Sequence, residues 1–262
     1  PMPDLGGVSV VVTRAPHQSR ELTDLITTAG GEVVLFPVTQ ITPLPDNDAG
    51  VTEGLQQLEQ SDIAIFVSPN AATFGLDLLA RSGLTLPRHT KVLAVGPGTA
   101  SQLGEKGISV DAIPQGRYDS EALLGLPVLQ DVHGLKTLII RGLAGRETLA
   151  QVLTQRGATV AHLPCYRRTQ TDQVDGKVLA RWRQNEFSAV VLTSVSGVDH
   201  LWSILGVEVD DFLAQTALIV SGERIATRCR SLGFTGTIAV AENAGMPALL
   251  EALRCWRENQ PA

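Results

Sequence analysis

The sequence has no apolar run approaching the roughly 18 residues that a membrane-spanning helix needs, so no spanning segment is expected. Cysteine is scarce: Cys165, Cys229 and Cys255 are the only three. None stands at metal-ligand spacing. An odd count without a charged-then-apolar leader points to a reducing, cytoplasmic setting. Cys229 and Cys255 fall in helical patterns and are expected as buried small hydrophobes. The five histidines, His17, His89, His133, His162 and His200, are scattered, again without metal spacing. Positive charge is in deficit, with a net charge of −6 and a pI near 5.4. That argues against a nucleic-acid or anionic-membrane partner. It leaves open a small anion, which backbone amides can hold without net positive charge. Phosphate and dinucleotide signatures are missing: there is no G-x-x-x-x-G-K-[ST], and Gly96-Pro97-Gly98-Thr99 lacks the G-x-G-x-x-G spacing. No G-x-S-x-G elbow and no H-E-x-x-H exists either. Asp210-Asp211, a carboxylate pair, is expected in a solvated polar loop. Pro1, before Met2, is expected to be the remnant of a removed tag.

What the chain does have is an internal repeat. Thr13-Arg14 is matched by Ile140-Arg141, and in the same register Leu22 falls on Leu149, Gly30 on Gly157, Val33 on Val160 and Pro37 on Pro164. A second run matches Ser68 to Ser194, Gly96 to Gly222, Ala100 to Ala226, Gly107 to Gly233 and Leu123-Leu124 to Leu249-Leu250. A repeat this long is a duplicated domain, not a solenoid with its period of about 20 to 50 residues. Two copies make two lobes, and two lobes make a cleft. The 262 residues suffice for two cores.

Short apolar runs alternate with helical patterns. Strands are expected at 8–12, 33–36, 63–67, 92–95, 110–113, 137–140, 160–163, 189–192, 218–220 and 238–240. Helices are expected near 17–29, 71–80, 99–105, 147–156, 174–183, 198–205, 224–232 and 247–256. Continuous apolar strands between amphipathic helices mean parallel sheets covered on both faces, an α/β doubly wound class. Pro37–Pro45 and Pro164–Thr171 occupy the same place in the two repeats. Proline stops a strand, so both read as crossings between lobes.

In such sheets ligands bind beyond the carboxyl ends of the strands. The segments at those ends here are Thr13-Arg14, Ser68-Pro69-Asn70, Gly96-Pro97-Gly98-Thr99, Arg141-Gly142, Thr193-Ser194-Val195-Ser196-Gly197 and Ser221-Gly222-Glu223. All are small, hydroxylated, glycine-rich or arginine, and such turns open helices with free N–H groups. Helix capping explains any one of them. Their recurrence points to anion binding, mainly through amides rather than a basic patch, with Gly98 and Gly142 as points of close backbone approach or positive φ. Tyr166, in the second crossing beside Arg167 and Arg168, is the one suggestive catalytic side chain; packing against the linker is the plain alternative. Cys165 has no histidine near it in sequence and is not read as a nucleophile.

In this arrangement the chain resembles the uroporphyrinogen-III synthase family. The residues that carry the likeness are Val12-Thr13-Arg14, Phe66-Val67-Ser68-Pro69-Asn70-Ala71, Ala94-Val95-Gly96-Pro97-Gly98-Thr99-Ala100, Ile140-Arg141-Gly142, Leu163-Pro164-Cys165-Tyr166 and Thr193-Ser194-Val195-Ser196-Gly197. The resemblance implies two flavodoxin-like lobes joined by a two-stranded connection, with residues 1–37 and 170–262 in one and 38–169 in the other. It implies a lyase that cyclises hydroxymethylbilane with inversion of ring D, using no cofactor and no metal. It matches the family's tyrosine to Tyr166 and a family threonine to Thr99. Substrate contacts are implied at Thr13, Arg14, Ser68, Asn70, Gly96, Gly98, Thr99, Arg141, Gly142, Ser194, Ser196, Gly197, Ser221 and Gly222. The sequence departs from the family where Ile225 replaces a threonine, which leaves Ser221 or backbone amides to make that contact. The expected partners are the small-molecule substrate and, transiently, the preceding pathway enzyme, for a chain that is otherwise a monomer. A two-lobed, non-enzymatic anion-binding module or sensor is the competing class.

Overall fold

The computed structural model describes residues 5–260, so Pro1-Met2 lies outside the described residues. The chain divides into two units. Unit one runs to Gln40 and resumes at Thr169; unit two is Ile41–Arg168. In chain order, unit one opens with β1 (Ser9–Val12), α1 (Arg20–Thr28) and β2 (Glu32–Leu35). The chain passes into unit two along β3 (Thr39–Pro43). There follow α2 (Ala49–Leu58), β4 (Ile63–Phe66), α3 (Pro69–Arg81), β5 (Lys91–Ala94), α4 (Pro97–Glu105), α5 (Ser120–Leu124), β6 (Lys136–Gly142) and α6 (Thr148–Gln155). It returns along β7 (Thr159–Gln170) to α7 (Gly176–Arg183), β8 (Ala189–Leu192), α8 (Val195–Leu205), α9 (Val209–Leu213), β9 (Ala217–Val220), α10 (Glu223–Ser231), β10 (Ile238–Val240) and α11 (Met246–Glu258).

The sheet of unit one has the order β10-β9-β8-β1-β2 and is parallel throughout. Taken from the other edge, its strands run second, first, third, fourth, fifth, the flavodoxin-like order, which reverses direction between β1 and β8. The central strands are wholly apolar because both faces are covered. Val10, Val12, Val191 and Ile219 bury on one side, and Val11, Val190, Leu218 and Val220 on the other.

Unit two has the order β3-β7-β6-β4-β5. Strands β7, β6, β4 and β5 are parallel, with Ile65 beside both Ile139 and Leu93. Its strands also feed two cores, Phe66 and Ile140 on one side and Ile65 and Ile139 on the other. The repeat now has a physical content. Its matched residues are stops and caps: Gly30 and Gly157 end α1 and α6, each at φ +88°, where a side chain would be strained. Ser68 and Ser194 cap α3 and α8, accepting from the N–H groups of Ala71 and Gly197.

Five expectations need correction. Residues 110–113 form no strand; a single bridge, Leu93 to Ala112, marks the place that β10 fills in the other unit. β7 does not stop at Pro164 but continues to Gln170. Pro164 sits where the register with β6 shifts, and a bulge can accommodate a missing N–H. Asp210 and Asp211 lie in the first turn of α9 rather than in a loop, a favourable end for negative charge. Cys229 is buried, but Cys255 is exposed. Helix α2 was not foreseen. Val38, assigned from sequence to the inserted lobe, packs with Phe36 and Trp182 in a core of unit one. Among the described residues no helix is long and apolar enough to cross a membrane.

Candidate functional site

In unit two the strand order reverses between β6 and β4, so the loops beyond those strands are where a ligand is expected. Ser68 follows β4. Its extended backbone and Pro69 at the first helical position start α3, and its Oγ accepts from the Ala71 N–H at 3.0 Å. The same Oγ lies 3.2 Å from the Tyr166 hydroxyl. Tyr166 stands on β7, almost buried, with its ring 5.6 Å from that of Phe74. Gly142 ends β6 directly against this ring: a Cβ there would lie 2.8 Å from two ring carbons. Glycine at 142 is therefore what admits the tyrosine; its φ is not positive. Gly98, also not at positive φ, has room for a Cβ, with Pro69 Cγ at 3.6 Å. Nothing within the chain itself therefore requires glycine at 98.

Arg141 sits beside Gly142 with its side chain nearly buried. Nη1 donates to Glu147 Oε1 at 2.8 Å and Nε to the Gly142 carbonyl at 3.2 Å. His162, one strand over, is held below the ordinary imidazole range by burial and by the Arg141 charge, against the pull of Glu147. It is therefore neutral near pH 7. Its Nε2 is buried without a hydrogen bond, 3.8 Å from Glu147 Oε2. Arg141 and His162 line a cavity of about 200 Å3 with Ser68, Ser120, Gly142, Gly145, Arg146 and Tyr166. Beside β5, Gly96 starts α4 without any side-chain cap, which leaves first-turn amides of α4 without a side-chain acceptor. Thr99 follows in that turn. Its hydroxyl is buried and unpartnered. Asn70 lies half-buried in the first turn of α3. Burial pushes the Cys165 thiol up to about 12, and it donates to the Arg141 carbonyl, so it is inert as a nucleophile.

Unit one carries the matched loops at its own reversal. Thr13 is buried and its hydroxyl donates to the Val191 carbonyl at 2.7 Å, tying β1 to β8. Arg14 is half-buried, with Nη1 3.6 Å from Met246 Sδ. Ser194 Oγ accepts from the Gly197 N–H at 2.9 Å and lies 3.3 Å from Ser196 Oγ. Ser221 donates to the Thr193 carbonyl, and Gly222 starts α10 with no side-chain cap. Sequence reasoning thus named loops at the carboxyl edges of both sheets. It missed Glu147, Arg146 and His162. The signal available was the run Arg141-Gly142-Leu143-Ala144-Gly145-Arg146-Glu147, a glycine-bearing turn after a strand with three charges in it. A larger groove of about 530 Å3 along β10 and α11 carries Glu242 and Glu251, the wrong sign for an anion. Among the described residues, no three His, Cys, Asp or Glu side chains gather as metal ligands.

The model of one protein family, uroporphyrinogen-III synthase HemD, matches residues 20–251. The uroporphyrinogen-III synthase of Escherichia coli is 34% identical over 251 residues, covering 94% of this chain and all of the relative. That of Salmonella typhimurium is 32% identical over the same shares. Among solved structures, uroporphyrinogen-III synthetase from Helicobacter pylori superposes with a TM-score of 0.59 at 15% identity, over 95% of this chain and all of the other. A mutant uroporphyrinogen III synthase from Thermus thermophilus gives 0.57 at 19% identity, over 97% and 100%. The two structures show a shared two-lobed α/β fold; the sequence matches carry the rest. The chain therefore belongs to the uroporphyrinogen-III synthase family, lyases that act on a tetrapyrrole intermediate.

Proposed function

We propose that this chain cyclises hydroxymethylbilane to uroporphyrinogen III, with substrate carboxylates received by loops beyond the carboxyl ends of the strands. The pyrrole nitrogen of ring A expels the hydroxyl of the hydroxymethyl group, leaving an azafulvene cation. Ring D attacks that carbon through its already substituted position and forms a spiro intermediate. The older bond breaks, and closure through the free carbon of ring D inverts the ring. The proton lost from that carbon balances the hydroxide, so the net loss is one water. Little of this needs strong acids or bases; it needs a substrate held folded.

The observation that carries the reading is the Tyr166 hydroxyl, 3.2 Å from Ser68 Oγ at a cavity shared with Arg141. A phenol there can hydrogen-bond to the departing hydroxyl while Ser68 orients it, and Arg141 supplies the charge for a carboxylate. Uncapped amides and the unpartnered Thr99 hydroxyl at the start of α4 support a second carboxylate contact. Gly222, which starts α10 in the same way, supports the matching contact in unit one. Three free thiols, one of them exposed, support a reducing cytoplasm. The test is incubation of the purified protein with hydroxymethylbilane, without added metal, nucleotide or reductant, and then separation of the product isomers. Type III product is expected and should survive chelation. A product that is all type I would reject the reading.

A further inference from the structure

The turn after β6 closes on a buried guanidinium. Only 9% of the Arg141 side chain is exposed. Nε and Nη1 are taken by Gly142 and Glu147, while Nη2 makes no hydrogen bond among the described residues. Nη2 lies under Gly145, where a Cβ would stand 2.8 Å from it. Arg146, on the same turn, lines the same cavity and is held by Glu121 of α5 at 2.6 Å. The other polar groups of that cavity, Ser68, Ser120, Tyr166 and neutral His162, carry no charge that would offset two guanidiniums. Both glutamates are well exposed, at 55% and 45%. Each therefore fixes an arginine without being sealed in beside it. A guanidinium keeps its charge at any working pH, and its planar fork matches a carboxylate.

We propose that Arg141 and Arg146 form a clamp for one carboxylate-bearing arm of the substrate, and that Glu147 is a positioning residue that holds Arg141 with Nη2 presented. This rests on the tetrapyrrole reading of the site, and it gives side-chain charge a part that the sequence had assigned mainly to amides. It is tested by steady-state kinetics with hydroxymethylbilane on Glu147→Gln, Arg146→Gln and Gly145→Ala. Glu147→Gln should raise KM about tenfold and leave kcat within about twofold, the pattern of lost uniform binding. Gly145→Ala should move KM the same way, because its Cβ displaces Nη2. Arg146→Gln should raise KM by roughly three- to tenfold. In an Arg141→Gln background, Glu147→Gln should add nothing further, since its action runs through that arginine. The melting temperature should fall modestly in Glu147→Gln, which leaves the nearly buried Arg141 guanidinium without its counter-charge, so the kinetics are read well below it. Normal wild-type turnover with an unmoved or lowered KM in Glu147→Gln and Gly145→Ala overturns the clamp alone. A wild-type product that is all type I overturns the reading beneath it.

Discussion

At the scale of the residue, two hydroxyls separate chemistry from packing. Tyr166→Phe removes the phenol that meets Ser68 and leaves the ring on Phe74 and Gly142. Turnover should slow by about 10- to 100-fold, the low end for a positioned acid, because the pyrrole already drives hydroxide out. The folded state should lose only about 1 kcal/mol with that hydrogen bond. Single-turnover rates and thermal melts on the same preparation check both; full activity with a lowered melting temperature would make Tyr166 a packing residue. Thr99→Val is the opposite case. Its hydroxyl is buried and unpaired, so a methyl in its place should leave the melting temperature equal or higher. Turnover should fall, but by less than in Tyr166→Phe; an unchanged rate would remove Thr99 from the site. Tyr166 was legible from its place in the second crossing beside Arg167 and Arg168, and Thr99 from the glycine-rich segment after β5 and the family likeness. Glu147 and His162 were not, because a partner six residues along the chain or one strand across is set only by the register of β6 with β7.

At the scale of the element, propensity and packing part company in α2. Gly50 and Gly54 weaken it as a helix, and prolines precede it, so the pattern reads as loop. The structure gives the glycines a use: a Cβ at 54 would stand 2.6 Å from the His162 carbonyl and 2.8 Å from the Leu163 Cα. The helix lies directly on the backbone of β7, and Asp48 caps its start. Gly54→Ala should therefore destabilise by about 1 to 3 kcal/mol, despite alanine's better helix propensity. Chemical denaturation checks the sign; a stabilised variant would show that α2 can lift off the strand at no cost. The same logic explains β7. Proline is a sound stop signal in a flat ladder, but Pro164 falls at a register shift, and no local rule reveals a bulge. Elsewhere the strands were legible because burial on both faces makes them uniformly apolar, and helix ends because Gly30, Gly157, Ser68 and Ser194 mark them.

At the scale of the molecule, the tryptophans and tyrosines are sorted by unit. Trp182, Trp202 and Trp256 all belong to unit one, and Tyr118 and Tyr166 to unit two. Each unit buries its own cores. Tryptophan emission therefore reports on unit one alone, whereas far-ultraviolet circular dichroism averages both. With two units, two-state behaviour is not assured, and the two signals should give different midpoints in urea. Coincident curves with equal slopes would mean that the units unfold as one. The split path of unit one also bears on synthesis. A ribosome releases β1 and β2 first, yet β1 needs β8 as its other neighbour, and β8 is made only after the whole of unit two. At roughly 5–20 residues per second, an interval on the order of 150 residues lasts about 8 to 30 s. Throughout it, Val10, Val11 and Val12 lack the strand that completes their sheet, while unit two, an unbroken stretch of chain, can finish folding. The nascent chain thus carries a half-paired apolar strand through most of its own translation, and that interval is when a chaperone has something to hold.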